Sequence, residues 1–422
     1  MRIITKIKDK LHISEAVRQY LPDGQLTEVK EGVYTCVCPL PGHKDTKPSF
    51  RVYDNTGRFY CYGCHKMGDV VDFVTMVESI PTNEAITKLA KQAGIDDKAP
   101  LSKHEQEGKK KKDAMKAVAA MYESLLVKNE PAKTYLKGRG FSEETLSAFG
   151  VGYSPVGQIS AMGCFNRLGL RSDAAIQLGV LGRSEKRSKL YDAMSGRIVF
   201  PITALSGHVI AFGGRILDED DRWGKYKNSA NSHFFKKGEA VYGLYQARKE
   251  IKSKDRVNLV EGYLDVLAMH QYGLANTVGS MGTAVTAEQL SLLRTMASTI
   301  VLIMDGDTAG AKATAKAISL ALYAGFNVLV VTIPEQLDPD EYLKLHGPEA
   351  MNGLIAAAAD GLYMLMNLLD KESPEALTEW ITDFLRSQKS RLLAVIWAKR
   401  IADFFGVTGS EIISAVTLEA TD

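Results

Sequence analysis

Carboxylate side chains follow three separate apolar segments in the second half of the chain. One carboxylate follows the first segment and a pair follows each of the next two, and these residues are Glu261, Asp305, Asp307, Asp338 and Asp340. If these carboxylates lay close together they would repel one another, and a bound divalent cation would offset their charge. Hard oxygen ligands favour Mg²⁺ or Mn²⁺ over zinc. We therefore predict a Mg²⁺ or Mn²⁺ site among these carboxylates.

The elements that would position these carboxylates alternate between strand and helix. The sequence predicts strands over 257–260, 299–304 and 327–333 and helices over 264–272 and 309–323. Strands that alternate with helices imply a mostly parallel sheet. The carboxyl ends of successive parallel strands open on one crevice, where such folds bind their ligands. The carboxylates should therefore meet at that edge of the sheet.

Parts of this region also have plainer interpretations. Asp305-Gly-Asp307 alone would be an ordinary acidic turn, and it lacks the ligand spacing of a calcium loop. Asp265 lies one helical turn after Glu261 and either supports the metal site or is a solvated helix position. The segment 280–283 either presents backbone amides to phosphate or is a plain helix cap.

A second group of potential ligands lies near the N-terminus, where four of the chain's five cysteines fall within residues 36–64. Cysteines crowded in this way indicate a metal site in a reducing cytoplasm rather than a disulfide framework. A Cys-x-x-Cys knuckle with a further Cys and a His predicts a closed tetrahedral site for one structural Zn²⁺, with the ligands Cys38, His43, Cys61 and Cys64. Two of these ligands have alternatives, namely Cys36 for Cys38 and His65 for His43.

The charge of the chain is unevenly distributed. A net charge of +2 over 422 residues argues at first sight against a nucleic-acid-binding protein. However, residues 114–252 contain 21 basic and 13 acidic residues, whereas residues 253–422 contain 12 and 21. A basic region beside an acidic, metal-holding one suits a protein that acts on nucleic acid. No run is apolar and long enough to predict a membrane span or a signal peptide.

Changes in composition predict five regions. Residues 1–100 contain the cysteine cluster, and residues 101–113, with four consecutive lysines and a Gly, indicate a basic flexible linker. Residues 114–252 form the basic part of the core, residues 253–345 its strand–helix part, and residues 346–422 a helical end. At 422 residues with 45% hydrophobic and 24% charged residues, the chain is typical of a globular protein with several domains.

These motifs resemble those of the DnaG-type primases of bacteria and phages. The segments that begin at Glu261, Asp305 and Asp338 are similar to the Toprim motifs of that family. Further matches precede them in the family's order, at 36–73, 135–141, 212–215, 225–229 and 237–245. The chain departs from the family in two respects: four residues separate Cys38 from His43 where the family has two, and the 77 residues after Leu345 are too few for the usual helicase-binding domain as well.

The resemblance implies a multidomain α/β protein. Its parts would be an N-terminal zinc-ribbon domain (1–100), a polymerase core with a basic subdomain (114–252) and a Toprim parallel sheet (253–345), and a C-terminal helical bundle (346–422). The implied activity is template-directed synthesis of short RNA primers on single-stranded DNA by metal-dependent nucleotidyl transfer. The implied partners are single-stranded DNA, ribonucleoside triphosphates and a replicative helicase whose contact site the sequence does not indicate.

The resemblance also implies roles for individual residues. Asp305, Asp307 and Asp340 would hold Mg²⁺ or Mn²⁺ with Asp338 in support, and Glu261 would ligate metal or accept the proton of the attacking 3′-hydroxyl. Template and triphosphate would be bound by cations, for which we predict Arg139, Arg215, Lys225 and Lys237. The zinc domain would engage the template, and its aromatic residues Phe59, Tyr60 and Tyr62 either stack on bases or pack the domain.

Two other classes of function remain open at this stage. Another Toprim enzyme, either a nuclease or a topoisomerase-like protein, would use the same acidic pocket. A zinc-containing module that binds single-stranded DNA without catalysis would need no Mg²⁺. A fused helicase is excluded, because the sequence contains no Gly-x-x-x-x-Gly-Lys-[Ser/Thr] phosphate loop.

Overall fold

The computed structural model describes most of the chain and divides it into two compact units, Met1–His104 and Glu105–Asp422. The described residues are 2–22, 25–41, 45, 47–78, 80–95, 103–157, 159–184, 189–217, 224–282, 284–304, 311–388 and 390–418. The predictions for His43, Asp305 and Asp307 concern residues outside this set. None of the helices in these ranges is long and apolar enough to cross a membrane.

The first unit is an antiparallel sheet with four helices. Its five strands lie in the order β1-β2-β3-β4-β5, with bounds β1 (Thr27–Lys30), β2 (Val33–Cys36), β3 (Phe50–Tyr53), β4 (Arg58–Cys61) and β5 (Met67–Asp69). The helices are α1 (Arg2–Lys10), α2 (Ile13–Arg18), α3 (Val70–Glu78) and α4 (Thr82–Gln92). Alternate strand residues point to one face, where Phe50 stacks on Phe59 at 5.0 Å between ring centroids and Phe73 packs against both.

The prediction of a flexible linker over 101–113 is wrong from Lys103 onward, because helix α5 (Lys103–Val127) begins there. Lys, Glu and Gln are good helix formers, and a single Gly costs a helix only about 1 kcal/mol. Lys111 also forms an ion pair of 2.8 Å with Glu107, one turn earlier. Composition alone indicated an exposed segment, and most of its side chains are exposed, but the backbone is helical.

The basic part of the second unit is built around a four-stranded sheet of order β11-β10-β9-β6. Its strands are β6 (Gly152–Ser154), β9 (Arg197–Thr203), β10 (Val209–Ile216) and β11 (Tyr226–Asn228), with a separate hairpin of β7 (Leu181–Arg183) and β8 (Leu190–Asp192). The helices of this part are α6 (Glu130–Gly138), α7 (Glu143–Ala148), α8 (Met162–Arg167) and α9 (Ser172–Gln177). Strands β9 and β10 pair antiparallel.

The parallel sheet predicted for the acidic half is present, with the order β13-β12-β14-β15-β16. The strands are β12 (Arg256–Val260), β13 (Thr277–Gly279), β14 (Thr299–Met304), β15 (Asn327–Thr332) and β16 (Ala359–Asp360). The first four are parallel, and β16 joins β15 antiparallel. Their helices are α10 (Leu244–Lys254), α11 (Tyr263–Gln271), α12 (Ala287–Arg294), α13 (Ala311–Tyr323) and α14 (Pro339–Ala356), with a 3₁₀ turn at Pro334–Gln336.

The chain ends in four helices, α15 (Gly361–Glu372), α16 (Pro374–Arg386), α17 (Arg391–Phe405) and α18 (Gly409–Leu418). Side chains cap two of these helices: Ser373 accepts from the Ala376 amide at 3.0 Å, and Thr408 and Glu411 form a reciprocal box. Apolar residues of α15 to α17 share one core with the parallel sheet. These helices therefore cover a face of the sheet that holds the acidic site.

Candidate active site and metal centre

One cleft brings together carboxylates from the parallel sheet and cations from the basic part. It has a cavity volume of about 180 Å³, and its charged lining comprises Arg139, Arg215, Lys225, Glu261, Asp265, Asp338 and Asp340. Strand β14, which ends directly before Asp305, lies between β12 and β15 in the sheet. The carboxylates that follow β12 and β15 are thus gathered in one place, as the parallel topology predicted.

Glu261 and Asp265 occupy the turn between β12 and α11. Glu261 directly follows β12 and is exposed to the cleft, and Gly262 is the N-cap of α11. Asp265 is only 7% exposed. Its Oδ2 accepts from the Gly262 amide at 2.9 Å, and its Oδ1 accepts from the Asp340 amide at 3.4 Å. Of the two interpretations of Asp265, the structure therefore favours the supporting one, since this carboxylate ties the Glu261 turn to the start of α14.

Asp338 and Asp340 lie at the N-terminus of α14, where the helix dipole favours negative charge. Asp338 is the N-cap residue and Asp340 lies in the first turn, with only 5% of its surface exposed. Burial and the charges of Asp340 and Glu341 raise the pKa of the Asp338 carboxyl, although Arg139 and Lys225 act in the opposite direction. Burial is the larger cause of this shift, and the neighbouring carboxylates add to it.

Two of the predicted cations are partly sequestered by neighbouring side chains. Arg139 donates to both Asp340 and Glu341. Arg215 is only 8% exposed, and its guanidinium lies 4.2 Å from the ring centroid of Tyr135. Lys225, by contrast, is exposed at the cleft.

Lys237 and the described residues 280–282 lie as follows. Lys237 is not among the residues that line the cleft. The Ser280 and Gly282 amides donate to the carbonyls of Val260 and Glu261, at 3.1 and 2.9 Å. These two amides are therefore used within the fold, and α12 begins only at Ala287, with Thr286 as its cap.

The described cleft residues fit a divalent cation by the chemistry of their donors. Glu261, Asp338 and Asp340 offer only carboxylate oxygens, the ligand type that Mg²⁺ and Mn²⁺ prefer. Oδ1 of Asp340 is buried and has no hydrogen-bond partner among the described residues. A buried anionic oxygen of this kind is costly unless a cation or a donor satisfies it.

The zinc expectation is supported by three thiols of the first unit. The Sγ atoms of Cys38, Cys61 and Cys64 all lie within 4.8 Å of one another, and they form the metal-ligand group found in the described part of the chain. Neither of the alternatives, Cys36 and His65, belongs to that group. Three thiolates plus one further ligand would complete the tetrahedral set of a structural zinc site.

The thiols differ in their electrostatic environment, and burial raises the pKa of the predicted ligand Cys38 as well as that of Cys36. Burial raises the pKa of Cys61, but the Cys64 amide, the Ser49 hydroxyl and the Gly63 amide outweigh it and lower the pKa to about 7. Burial raises the pKa of Cys36 to about 12. The Nδ1 atom of His65 lies 3.1 Å from the Tyr60 hydroxyl. Cys61 is thus prepared to ionise, as a zinc ligand must.

Several residues in or beside the cleft were not predicted as site residues from the sequence. Tyr135 and Tyr226 line the cleft beside Arg215, and Glu341 shares Arg139 with Asp340. Tyr135 and Glu341 belong to motifs that resemble those of the primase family, but only the contacts in the folded chain show how they act. Spacing within one segment cannot indicate a partner 200 residues away.

Family models match three successive parts of the chain. A CHC2 zinc finger matches residues 1–106, a DNA primase catalytic core N-terminal domain matches residues 121–248, and a Toprim-like domain matches residues 258–343. A zinc centre in the first unit and an acidic Toprim site in the second are therefore the expected chemistry of this class of protein, and a Toprim site implies a divalent metal.

Individual DNA primases are similar over most of the chain. The DNA primase of Clostridium acetobutylicum is 32% identical over 99% of this chain and 70% of its own length. A crystal structure of the Aquifex aeolicus primase (zinc binding and RNA polymerase domains) is 33% identical, with a TM-score of 0.64, and covers 98% of this chain and 99% of that one. A DnaG primase catalytic domain bound to single-stranded DNA is 28% identical, with a TM-score of 0.63, and covers 73% of this chain and 99% of that one.

The chain therefore belongs to the DnaG-type DNA primase family. It spans 57% of the length of one curated relative, from Deinococcus radiodurans, and 73% of another, from Aquifex aeolicus.

Proposed function

We propose that this protein synthesises short RNA primers on single-stranded DNA during DNA replication, by template-directed and metal-dependent nucleotidyl transfer. The observation that carries the proposal is the cleft itself. Carboxylates that offer oxygen ligands lie opposite cations from the basic part, so one site can hold a divalent metal and the triphosphate that it binds.

The acidic side of the cleft would hold the metal. We assign Asp305, Asp307 and Asp340 as ligands with Asp338 in support, and Mg²⁺ or Mn²⁺ as the ion. The bound ion would offset the negative charge that develops on the transferring phosphoryl group. Asp265 would keep Asp340 in place through the Asp340 amide.

Glu261 is suited to act on the attacking hydroxyl. It is exposed to the cleft at the end of β12, where the neighbouring Gly262 amide and Asp265 fix the turn. A carboxylate in that place either ligates the metal or accepts the proton of the 3′-hydroxyl of the growing primer.

The basic side of the cleft would bind the template and the incoming triphosphate. Lys225 is exposed and precedes β11, so its flexible ammonium can follow phosphate groups. Arg215 is held by Tyr135 and presents a planar guanidinium that suits phosphate oxygens. Arg139 and Lys237 were predicted to bind phosphate as well.

The zinc unit would contact single-stranded template through its aromatic surface. Phe59 is fully buried and packs the core, which leaves Tyr60 and Tyr62 for this role. Tyr62 is 55% exposed, and the Arg51 guanidinium lies 5.5 Å from its ring centroid. An exposed ring beside a cation suits the stacking of unpaired bases. Single-stranded DNA as a partner of the second unit is supported by the solved primase catalytic domain that has it bound.

The remaining assignments complete the proposal. We assign His43 as the fourth zinc ligand, and a replicative helicase as a further partner. We also place the protein in the cytoplasm, because a site made of thiolates requires reduced cysteines.

Primer synthesis can be tested with α-³²P-labelled ribonucleotides, single-stranded DNA and Mg²⁺. The parent should build short RNA products that separate on a denaturing gel, whereas Asp305→Ala and Asp338→Asn should make at least about 100-fold less. Glu349→Gln is the matched control, since Glu349 is an exposed carboxylate on α14 outside the cleft lining. Degradation of end-labelled DNA without synthesis would instead indicate a nuclease, and DNA binding without turnover a non-catalytic module.

A further inference from the structure

Arg139 directs most of its hydrogen-bonding capacity at carboxylates. Its Nε and Nη2 atoms both donate to Oδ2 of Asp340, with Nε at 3.1 Å, and its Nη1 donates to Oε1 of Glu341 at 3.2 Å. A guanidinium has five N–H groups in a fixed fork, so these contacts use at least three of them. Little of this side chain is left to bind a phosphate in the cleft.

The two oxygens of Asp340 are in different situations. Oδ2 is held by Arg139, whereas Oδ1 is buried and has no hydrogen-bond partner among the described residues. The Asp340 amide is fixed as well, by Oδ1 of Asp265 at 3.4 Å. The carboxylate is thus restrained through Oδ2, while Oδ1 has no hydrogen-bond partner among the described residues.

The contact between Arg139 and Asp340 joins the C-terminus of α6 to the N-terminus of α14, and the helix dipoles favour opposite charges at these two ends. Arg139 is the C-cap residue of α6, where positive charge is favoured, and Asp340 lies in the first turn of α14, where negative charge is favoured. A second tie between the same helices runs from Nζ of Lys344 to the carbonyl of Gly138, at 2.7 Å, and does not involve the carboxylates. The Lys344 contact therefore helps to hold α6 and α14 in the relative position at which Arg139 reaches both carboxylates.

We propose that Arg139 is a positioning residue for Asp340, which turns the unpartnered oxygen of that carboxylate toward the divalent cation, and that it is not primarily a phosphate ligand. The inference rests on the proposed function only in that the cleft must bind a divalent cation. It revises the role that the sequence suggested for Arg139. A ligating carboxylate oriented by a hydrogen-bonding partner typically loses about 10- to 100-fold in metal affinity when that partner is removed.

The test is Mn²⁺ binding to the full chain without nucleotide, measured by electron paramagnetic resonance of the free ion. Arg139→Lys keeps the charge but loses the fork, so we expect its Mn²⁺ dissociation constant to rise about 10- to 100-fold. Lys344→Met removes the neighbouring tie between the same helices and should bind Mn²⁺ like the parent. In an Asp340→Asn background, Arg139→Lys should cause no further loss, because its effect passes through Asp340.

The outcomes separate this inference from the proposed function. Parent-like Mn²⁺ binding by Arg139→Lys, with a raised KM for ribonucleotides, would assign Arg139 to phosphate and overturn the positioning role. An equal loss in Lys344→Met would indicate general damage to the α6–α14 junction and would also overturn it. Primer synthesis by the parent is measured alongside. If the parent makes primers, any failure belongs to the inference alone; if it makes none and binds no Mn²⁺, both the proposed function and the inference fail.

Discussion

The hydroxyl of Tyr263 donates a hydrogen bond to Oδ1 of Asn228, across the boundary between the basic sheet and the parallel sheet. The Asn228 amide in turn donates to the carbonyl of Met281, at 3.3 Å. Asn228 ends β11, just after the cleft residues Lys225 and Tyr226. The half-buried side chain of Asn228 therefore connects β11, which directly follows Lys225, to Tyr263 at the start of α11 and to Met281 after β13.

Gly213 lies against the same tyrosine, and we predict that Gly213→Ala destabilises the second unit. A Cβ at this position would overlap the ring of Tyr263, which is already stacked on Phe200 at 4.9 Å between centroids. Overpacking of a filled core costs about 1–3 kcal/mol, so the melting temperature should fall by several degrees. Gly353→Ala on α14 is the control: its Cβ would meet no atom within 4 Å, and it should melt at or above the parent temperature. Unchanged melting of Gly213→Ala would refute the packing argument.

The zinc ligands can be distinguished by metal content. We expect about one Zn²⁺ per chain in the parent and in Cys36→Ser, and a loss of most of it in Cys61→Ser and Cys64→Ser. The reason is that Cys61 and Cys64 belong to the group of three neighbouring thiols, whereas Cys36 does not. Inductively coupled plasma mass spectrometry of purified chains measures this directly. Zinc lost from Cys36→Ser but retained in Cys64→Ser would place the ligands elsewhere.

Asp192 should make stability depend on pH. It is 1% exposed; its Oδ1 accepts from the Tyr122 hydroxyl at 2.6 Å, and burial raises the pKa of this carboxyl. The Asp192 carboxyl therefore ionises at lower pH in the unfolded chain than in the folded one. Its contribution lowers the free energy of unfolding increasingly as pH rises from about 4 through the folded-state pKa. We therefore expect Asp192→Asn to melt higher than the parent by about 2 °C or more at pH 7–8.

That difference should shrink as pH falls toward 4 and vanish below the unfolded-state pKa of about 4, where the carboxyl is protonated in both states. Thermal melts of both proteins across this range test the sign, with the exposed Asp370→Asn on α15 as a control that should show no such trend. A melting-temperature gap that grows toward acid pH would contradict the account.

Lys225 should contribute to binding through phosphate charge. It is exposed at the cleft, so Lys225→Gln should weaken the binding of single-stranded DNA of any sequence. Loss of one phosphate contact should also reduce the slope of log affinity against log salt by about 0.7. Fluorescence anisotropy at several salt concentrations measures both effects. Lys371→Gln, an exposed lysine on α15 outside the cleft lining, should keep the parent slope; an equal change in both variants would refute a specific role for Lys225.

Much of the framework was predictable because it rests on local patterns. Apolar runs bounded by carboxylates predicted β12, β14 and β15, and the strand–helix alternation predicted their parallel order, which the structure confirms. The grouping of Cys38, Cys61 and Cys64 likewise followed from ligand spacing.

What the sequence did not show depends on contacts between distant segments. The partners of Arg139 lie about 200 residues further on, and the stacking of Arg215 on Tyr135 joins two elements that no local spacing relates. The high charge of the segment after Lys103 indicates a linker, whereas its residues also favour a helix, and the structure has the helix. The supporting role of Asp265 depends on its burial and on its contact with the start of α14, which the spacing to Glu261 does not indicate.

The central claim is that this cleft starts RNA chains, and the most direct measurement is retention of the γ-phosphate of the first nucleotide. With γ-³²P-labelled ribonucleotides, single-stranded DNA and Mg²⁺, we predict short labelled RNA products that depend on the template and are lost in Asp305→Ala. A nuclease or an enzyme that only extends existing ends would leave no γ-label in RNA. If the parent yields no γ-labelled RNA, or if Asp305→Ala yields as much as the parent, primer initiation at this site is contradicted.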